Sequence, residues 1–213
     1  ELLLGMGGMR ALRALGINPT ITHINEGHSA FLGLEKIRRY VKEQGLAFNE
    51  ALELTRGGNI FTTHTPVPAG IDIFPVSLMD KYFSGFYYDL GISREQFLAL
   101  GRKNDDDRFE DFNMAVLAMS LSSYTNGVSK LHAQVSRKMW QDMWSELPFE
   151  EIPIGSVTNG VFAQSQISKD MYDLLTRYLG TTWTANISKE ETWERVDQIP
   201  AEELWRTHER RRE

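Results

Sequence analysis

The most informative stretch of the sequence is Phe61-Thr62-Thr63-His64-Thr65-Pro66-Val67-Pro68-Ala69-Gly70. An apolar, β-branched run begins just before it, at Ile60, and predicts a buried strand. Pro66 and Pro68 then fix their φ angles and lack N–H donors, so neither a strand nor a helix continues through them. The pattern predicts a rigid loop at the carboxyl end of a strand, with His64 as its first residue. Open α/β sheets bind ligands at that end, although a histidine that caps an ordinary turn would give the same local pattern.

A second strand and polar turn precede this stretch. Residues 20–24 form a short β-branched run, and the turn Asn25-Glu26-Gly27-His28 follows it. Apolar residues at helical spacing predict a helix over residues 29–43 and a shorter one over 48–55. Glu26 and His28 either cap the first helix or line a site at its positive dipole end. Two strand–turn–helix units in succession predict a parallel sheet with flanking helices, so the expected fold class is α/β.

The later part of the chain is predicted to continue this alternation. Helices are expected over residues 75–88, 93–100, 112–124 and 130–144, the third of them apolar and buried. Asn126-Gly127 is expected to be a turn, and residues 103–108 a solvated loop. A further strand is expected over residues 152–158, followed by Asn159-Gly160. Asn159 is therefore another polar residue at the point where a strand stops.

The composition excludes several classes of protein. The 213 residues contain no cysteine, which rules out disulfides and thiolate metal sites. A formal net charge of −6 argues against nucleic acid or an anionic membrane as a partner. No apolar run reaches the roughly 18 residues of a membrane-spanning helix, and Glu1-Leu2-Leu3-Leu4 lacks the basic start of a signal peptide. These features predict a cytoplasmic protein.

Both ends of the sequence fall inside apparent helices, which suggests an internal piece of a longer protein. The composition shifts near Gly160, so residues 1–159 and 160–213 are expected to belong to different domains. The second part is charged and helical in pattern. Because its helices would lack the sheet that they cover, its tryptophans are expected to stay exposed or to fold back on the first part: Trp183, Trp193 and Trp205.

Polar side chains at the predicted strand ends form the candidate site. They are hydrogen-bonding groups suited to a ligand rich in hydroxyls: Asn25, Glu26, His28, His64 and Asn159. A zinc site is the alternative, since His23, His28, His64 and Glu26 are all ligand types. However, His23 and His28 are five residues apart across a turn, which does not match the spacing of a helical zinc motif. No metal site is therefore predicted.

Five runs of the sequence together resemble the α-glucan phosphorylases, the glycogen and starch phosphorylase family, and most of all its bacterial branch. Their order and separations match the family along essentially the whole chain. The runs are residues 23–32, residues 61–70 with Asp72 and Phe74-Pro75, residues 112–115, residues 125–132, and Val157-Thr158-Asn159-Gly160-Val161.

The resemblance implies a two-domain glycosyltransferase fold of the B type, with two Rossmann-like halves. Residues 1–159 would be the later part of the N-terminal domain, on the sugar side of the cleft. Residues 160–213 would be the helical opening of the C-terminal domain. The implied reaction cleaves terminal α-1,4-linked glucose from a glucan with inorganic phosphate and gives glucose 1-phosphate. Pyridoxal phosphate, the implied cofactor, acts in this family through its phosphate as a proton relay.

The resemblance also implies roles for single residues. His64, the implied catalytic residue, and Asn159 would hold the terminal glucose, chiefly through its 6-hydroxyl. Val128 would pack beside the sugar, and Asn25, Glu26 and His28 would line the cleft. A backbone carbonyl or imidazole on the proline-stiffened loop would stabilise the oxocarbenium-like transition state.

Two departures from the family pattern bear on these expectations. Gln166 stands where the family has a tryptophan, and the lysine that binds the cofactor matches nothing in the chain. The chain alone is therefore expected to be inactive and to bind no pyridoxal phosphate, whereas the parent protein could be a homo-oligomer. The alternatives are a non-catalytic carbohydrate-binding piece and a nucleotide-sugar glycosyltransferase of the same fold.

Overall fold

A computed structural model describes residues 1–104 and 107–210. These residues form two compact units, Glu1–Asn159 and Gly160–Glu213. Asp105 and Asp106, the centre of the expected solvated loop, lie outside the described residues. None of the helices in the described ranges combines the length and the apolar character that crossing a membrane requires.

The first unit alternates strands and helices. Its strands are β1 Thr22–Asn25, β2 Asn59–Thr63, β3 Ile73–Phe74, β4 Phe112–Asn113, β5 Tyr124–Gly127 and β6 Ile154–Ser156. A π-helical segment, Leu3–Gly7, leads into the first of its helices, which are α1 Gly8–Ala14, α2 Phe31–Gln44, α3 Phe48–Gly57, α4 Val76–Phe83, α5 Phe86–Asp89, α6 Arg94–Ala99, α7 Met114–Ser120 and α8 Lys130–Trp140.

Four of these strands form one parallel sheet in the order β1-β2-β5-β6. The predicted α/β class, with a parallel sheet and flanking helices, is confirmed. The strands β3 and β4 pair separately and antiparallel. Because every strand of the main sheet runs the same way, all four carboxyl ends lie at one edge.

The strand β5 was not predicted. The apolar helix was expected to run to residue 124, but α7 ends at Ser120. A turn was expected at Asn126-Gly127, but these two residues belong to β5 and are buried. Asn-Gly usually marks a turn because both residues tolerate positive φ. Here the side chain of Asn126 is satisfied inside the sheet: its Oδ1 accepts from Thr62 Oγ1 at 2.9 Å, and its Nδ2 donates to Gly127 O at 3.2 Å.

The apolar core covers one face of the sheet. Ile24, Phe61 and Ile154 are fully buried and belong to the same cluster as the helix residues Leu34 and Leu117. Complete burial of each such side chain stabilises the fold by about 1.5–3 kcal/mol. Side chains alternate between the faces of a strand, so the intervening residues of β1 point to the opposite, polar face, where they are exposed.

A buried lysine joins the amino ends of two strands. Lys36, only 6% exposed, donates from Nζ to Asn59 Oδ1 at 2.8 Å and to Thr22 Oγ1 at 3.3 Å. Asn59 in turn donates to Leu121 O at 2.8 Å. Both partners of the ammonium are neutral, and burial lowers the pKa of Lys36 below its usual value of 10.5.

The second unit is helical. Its α-helices are α9 Ala163–Gln166, α10 Lys169–Leu179, α11 Glu190–Trp193 and α12 Ala201–Glu209. Of the two expected outcomes for its tryptophans, exposure is wrong for Trp183, which is 2% exposed. The indole ring packs against Tyr172 and Trp193 at centroid distances of 5.7 and 5.9 Å, and its Nε1 donates to Thr176 Oγ1. Trp205, in contrast, remains 56% exposed.

Replacing Lys36 is expected to change how stability depends on pH. The lowered pKa means that the unfolded chain binds more protons than the folded chain between the folded pKa and 10.5. The free energy of unfolding should therefore gain a rising contribution as pH increases through that range, and Lys36→Met should remove it. Urea unfolding of the 213-residue chain at several pH values measures the difference. Lys138→Met, at an exposed position of α8, is the control, and equal pH slopes in the two variants would contradict the assignment.

Candidate functional site

The predicted site residues lie at the carboxyl edge of the sheet. Asn25 is the last residue of β1, His64 follows β2, Val128 follows β5, and Asn159 is three residues beyond β6. The segments after β5 and β6 stay paired, because Val157 N–H donates to Gly127 O at 3.0 Å and Asn159 N–H donates to Val128 O at 3.1 Å. The topology therefore brings these segments to one edge, while the roles of their side chains remain predictions.

The carboxylate of Glu26 holds the loop that begins at His64. Its Oε1 accepts from the backbone N–H groups of His64 and Thr65, the latter at 2.6 Å. Hydrogen bonds to a charged acceptor are stronger than neutral ones, and these two N–H groups lie beyond the end of β2. Glu26 makes no side-chain cap on the short helix that follows it. The capping alternative is therefore wrong for Glu26, whose side chain supports the histidine loop instead.

The backbone of Glu26 is strained. It has φ 57° and ψ −179°, and it is the one non-glycine residue with positive φ in the described part of the chain. This region is close to a glycine-only conformation and costs on the order of 1–3 kcal/mol. Gly27, which follows, packs so tightly that a Cβ there would lie 2.6 Å from Met114 Cβ. The turn thus packs directly against the start of α7. In this strained backbone conformation the carboxylate of Glu26 points to the loop.

The imidazole of His64 is exposed and contacts Asn25. Its Nε2 lies 3.3 Å from Asn25 Oδ1. A carbonyl oxygen can only accept, so in this contact Nε2 carries the proton and Asn25 orients the ring. Two neighbouring residues at the end of β1 therefore hold His64: Glu26 accepts from its backbone N–H, and Asn25 contacts its ring.

A chain of hydrogen bonds crosses the polar face of the sheet behind this edge. His23 Nε2 lies 2.7 Å from Thr62 Oγ1, and Thr62 donates to Asn126 Oδ1 at 2.9 Å. The sequence pattern pointed to His23 only as a metal ligand. It did not predict the hydrogen bonds that Thr62 makes with His23 and Asn126. Strict alternation within three neighbouring strands is the signal that could have found them, but β5 was not recognised as a strand.

The three histidines of the zinc alternative do not meet. His23 contacts Thr62, His64 contacts Asn25, and His28 Nδ1 lies 3.0 Å from Asp72 Oδ2 and 3.4 Å from Glu1 Oε1. Within the described residues, Glu1, His28 and Asp72 are the one group of three ligand types whose ligand atoms lie within 4.8 Å of one another. His28 is exposed and Glu1 is half-buried, and hydrogen bonds between the imidazole and the two carboxylates account for the contacts, so we assign no metal.

The predicted site residues suit hydroxyl groups better than phosphates. They contribute imidazoles, amides, one carboxylate and one apolar side chain: Asn25, Glu26, His28, His64, Val128 and Asn159. An anionic cofactor such as pyridoxal phosphate needs a lysine for its covalent link and cations for its phosphate, and these six residues supply neither. They therefore do not form a pyridoxal phosphate site.

A cavity of about 330 Å³ in the first unit is lined by none of these six residues, although Glu1, which contacts His28, forms part of its wall. Its walls are mainly apolar and include Leu2, Phe31, Phe74, Met79 and Phe83. Such walls offer a sugar few hydrogen-bond partners, so the edge of the sheet remains the better candidate site.

Removing the carboxylate of Glu26 is expected to loosen the histidine loop. In Glu26→Ala the amides of His64 and Thr65 lose their acceptor, and their hydrogen exchange should speed up about tenfold or more. Glu26→Gln is the matched control, because it keeps an oxygen at the same position and should change exchange less. Exchange measured by NMR or mass spectrometry distinguishes the two, and wild-type protection in Glu26→Ala would contradict the role given to this side chain.

Comparisons with known proteins identify the family of this chain. The model of the carbohydrate phosphorylase family matches residues 12–207. Maltodextrin phosphorylase of Thermococcus litoralis is 46% identical over 208 residues, which cover 98% of this chain and 24% of that protein. Glycogen phosphorylase of Mycobacterium tuberculosis is 38% identical, with 96% of this chain and 24% of that protein covered. Glycogen phosphorylase of Aquifex aeolicus is 36% identical, with 100% of this chain and 30% of that protein covered.

The chain thus spans about a quarter of the length of the first curated relatives that it matches. The match to the family extends over nearly all of its own length, so the resemblance inferred from the five runs is confirmed. The chain belongs to the carbohydrate phosphorylase family.

Proposed function

We propose that this chain supplies the sugar-binding edge of an α-glucan phosphorylase. The full-length enzyme would cleave terminal α-1,4-linked glucose with inorganic phosphate and release glucose 1-phosphate. The observation that carries the proposal is the edge itself, where the hydrogen-bonding side chains of Asn25, His64 and Asn159 lie at or just beyond the carboxyl ends of three strands of one parallel sheet. Family membership and the printed names of the relatives support the same reaction.

In this proposal His64 and Asn159 hydrogen-bond the 6-hydroxyl of the terminal glucose, and Val128 packs beside the ring. Asn25 orients His64, and Glu26 holds the loop on which His64 lies. His28, which contacts Asp72, lines the cleft nearer the glucan. Groups that are fixed before the sugar arrives need little reorganisation as positive charge develops on it, which is the main source of electrostatic catalysis.

The remaining chemistry belongs to other parts of the full-length protein. Inorganic phosphate and pyridoxal phosphate both need cations, which the six edge residues lack. When bound, the cofactor would supply a proton relay through its phosphate. We propose that residues 1–159 belong to the N-terminal Rossmann-like half of a B-type fold and that residues 160–213 open the second half. We further propose that the full-length protein is cytoplasmic and homo-oligomeric.

The reaction can be tested with the full-length protein. Incubated with maltodextrin and phosphate, it should form one glucose 1-phosphate for each phosphate consumed, while the maltodextrin chain shortens by one glucose. Transfer of glucose from a nucleotide sugar, with no glucose 1-phosphate formed, would instead support the glycosyltransferase alternative. Glucan binding without either reaction would support the non-catalytic alternative.

Truncating Asn159 is expected to slow phosphorolysis without abolishing glucan binding. A buried hydroxyl that loses its partner costs about 1–3 kcal/mol, so kcat/KM should fall about tenfold in Asn159→Ala. Maltodextrins that end in 6-deoxyglucose should lose much less, because the hydroxyl that Asn159 binds is already gone. Asn18→Ala, at an exposed asparagine before β1, is the control. An equal loss with both substrates would contradict a role at the 6-hydroxyl.

A further inference from the structure

His132 lies in the first turn of α8, directly beneath the edge of the sheet. Ser129 caps this helix, and its Oγ accepts from the backbone N–H of His132 at 3.0 Å. The imidazole is 9% exposed, which places it in the interior and not in the predicted cleft. Its sequence run matches the family, but the residue pattern alone suggests nothing beyond a core histidine.

The imidazole of His132 anchors the backbone after β5. Its Nδ1 accepts from Val128 N–H at 3.2 Å. Val128 O accepts from Asn159 N–H at 3.1 Å, so His132, Val128 and Asn159 form one continuous hydrogen-bonded chain. Because Nδ1 acts as an acceptor, the proton of the neutral ring lies on Nε2.

The approach of the ring to the strand is very close. A Cβ at Gly127 would lie 2.8 Å from His132 Nδ1 and 2.9 Å from Ala133 N, so the contact requires glycine at this position. His132 Nε2 is buried and has no hydrogen-bond partner among the described residues. Buried polar atoms without a partner are rare and costly. Within the described residues, the hydrogen bond from Val128 N–H is therefore the one polar contact that the ring of His132 makes.

We propose that His132 is a positioning residue for the sugar site, an inference that rests on the function proposed above. Its Nδ1 fixes the Val128 peptide, and that peptide fixes the backbone of Asn159. Two segments from different strands, one packing beside the sugar and the other binding its 6-hydroxyl, are thereby held in a single register. His132 itself touches no substrate.

Three variants of His132 in the full-length protein test this role. In His132→Asn, Oδ1 occupies the place of Nδ1 and preserves the acceptor. In His132→Leu the acceptor is lost, and in His132→Gln the amide reaches the place of Nε2 instead. Gln134→Ala, at an exposed position of α8, controls for general effects on the helix. His132→Gln replaces His132→Leu in every comparison if the latter does not fold.

The first measurement needs no activity. Amide exchange at Val128 and Asn159 should speed up about tenfold in His132→Leu and stay near wild type in His132→Asn. Equal exchange in the two variants would overturn the proposal.

The second measurement is a double-mutant cycle on kcat/KM. If His132 acts through Asn159, the loss caused by Asn159→Ala should shrink from about tenfold to about two- or threefold in the His132→Leu background. The preference for ends that carry a 6-hydroxyl should shrink equally. Additive losses would overturn the proposal, since a residue that only stabilises the fold does not couple to the 6-hydroxyl. If the His132 variants show the expected exchange pattern but the wild-type protein shows no phosphorolysis, the proposed function is overturned. The anchoring of Asn159 by His132 would then still stand.

Discussion

The geometry of the candidate site depends on one carboxylate. Glu26 accepts the backbone N–H groups of His64 and Thr65, two residues that emerge from a strand 38 and 39 positions away along the chain. A chain that leaves a sheet exposes N–H groups that no neighbouring strand pairs, and such groups demand an acceptor. The prolines stiffen the loop from within, but they cannot orient it. The carboxylate does, and the positive φ of Glu26 is the strain that accompanies this arrangement.

The two ends of the sheet are organised differently. At the amino ends, Lys36 and Asn59 form a buried network whose partners are all protein groups, which suits a structural role. At the carboxyl ends, His64 and Asn159 are exposed; the ring of His64 contacts Asn25, and the backbone N–H of Asn159 donates to Val128 O. Between the two ends, the Thr62–Asn126 hydrogen bond ties β2 to β5 on the polar face. In the same parallel sheet, the polar groups at the amino ends are therefore buried, whereas His64 and Asn159 at the carboxyl ends are exposed.

In the proposed reaction, the absence of cations among the six edge residues assigns the two phosphates to other parts of the full-length protein. Imidazole and amide groups can bind the hydroxyls of a sugar and tolerate the positive charge that develops on it. Two phosphates placed together need cations, and crowding them against Glu26 would be unfavourable. If the cations of the proposed enzyme belong to another part of the protein, each ligand meets the electrostatic environment that it requires.

Local signals in the sequence were enough to predict the α/β class, the strands β1, β2 and β6, and the loop after β2. Because β-branched runs, prolines and helical periodicity are such signals, most candidate residues could also be placed at strand ends. Only the tertiary structure decided three further features. The run Tyr124–Gly127 is a strand because its neighbours satisfy Asn126, although its residues favour a turn. Trp183 is buried because Tyr172 and Trp193 fold around it. Glu26 and His132 act on backbone groups of other segments, and such contacts depend on which chain ends meet in space and leave no periodic trace in the sequence.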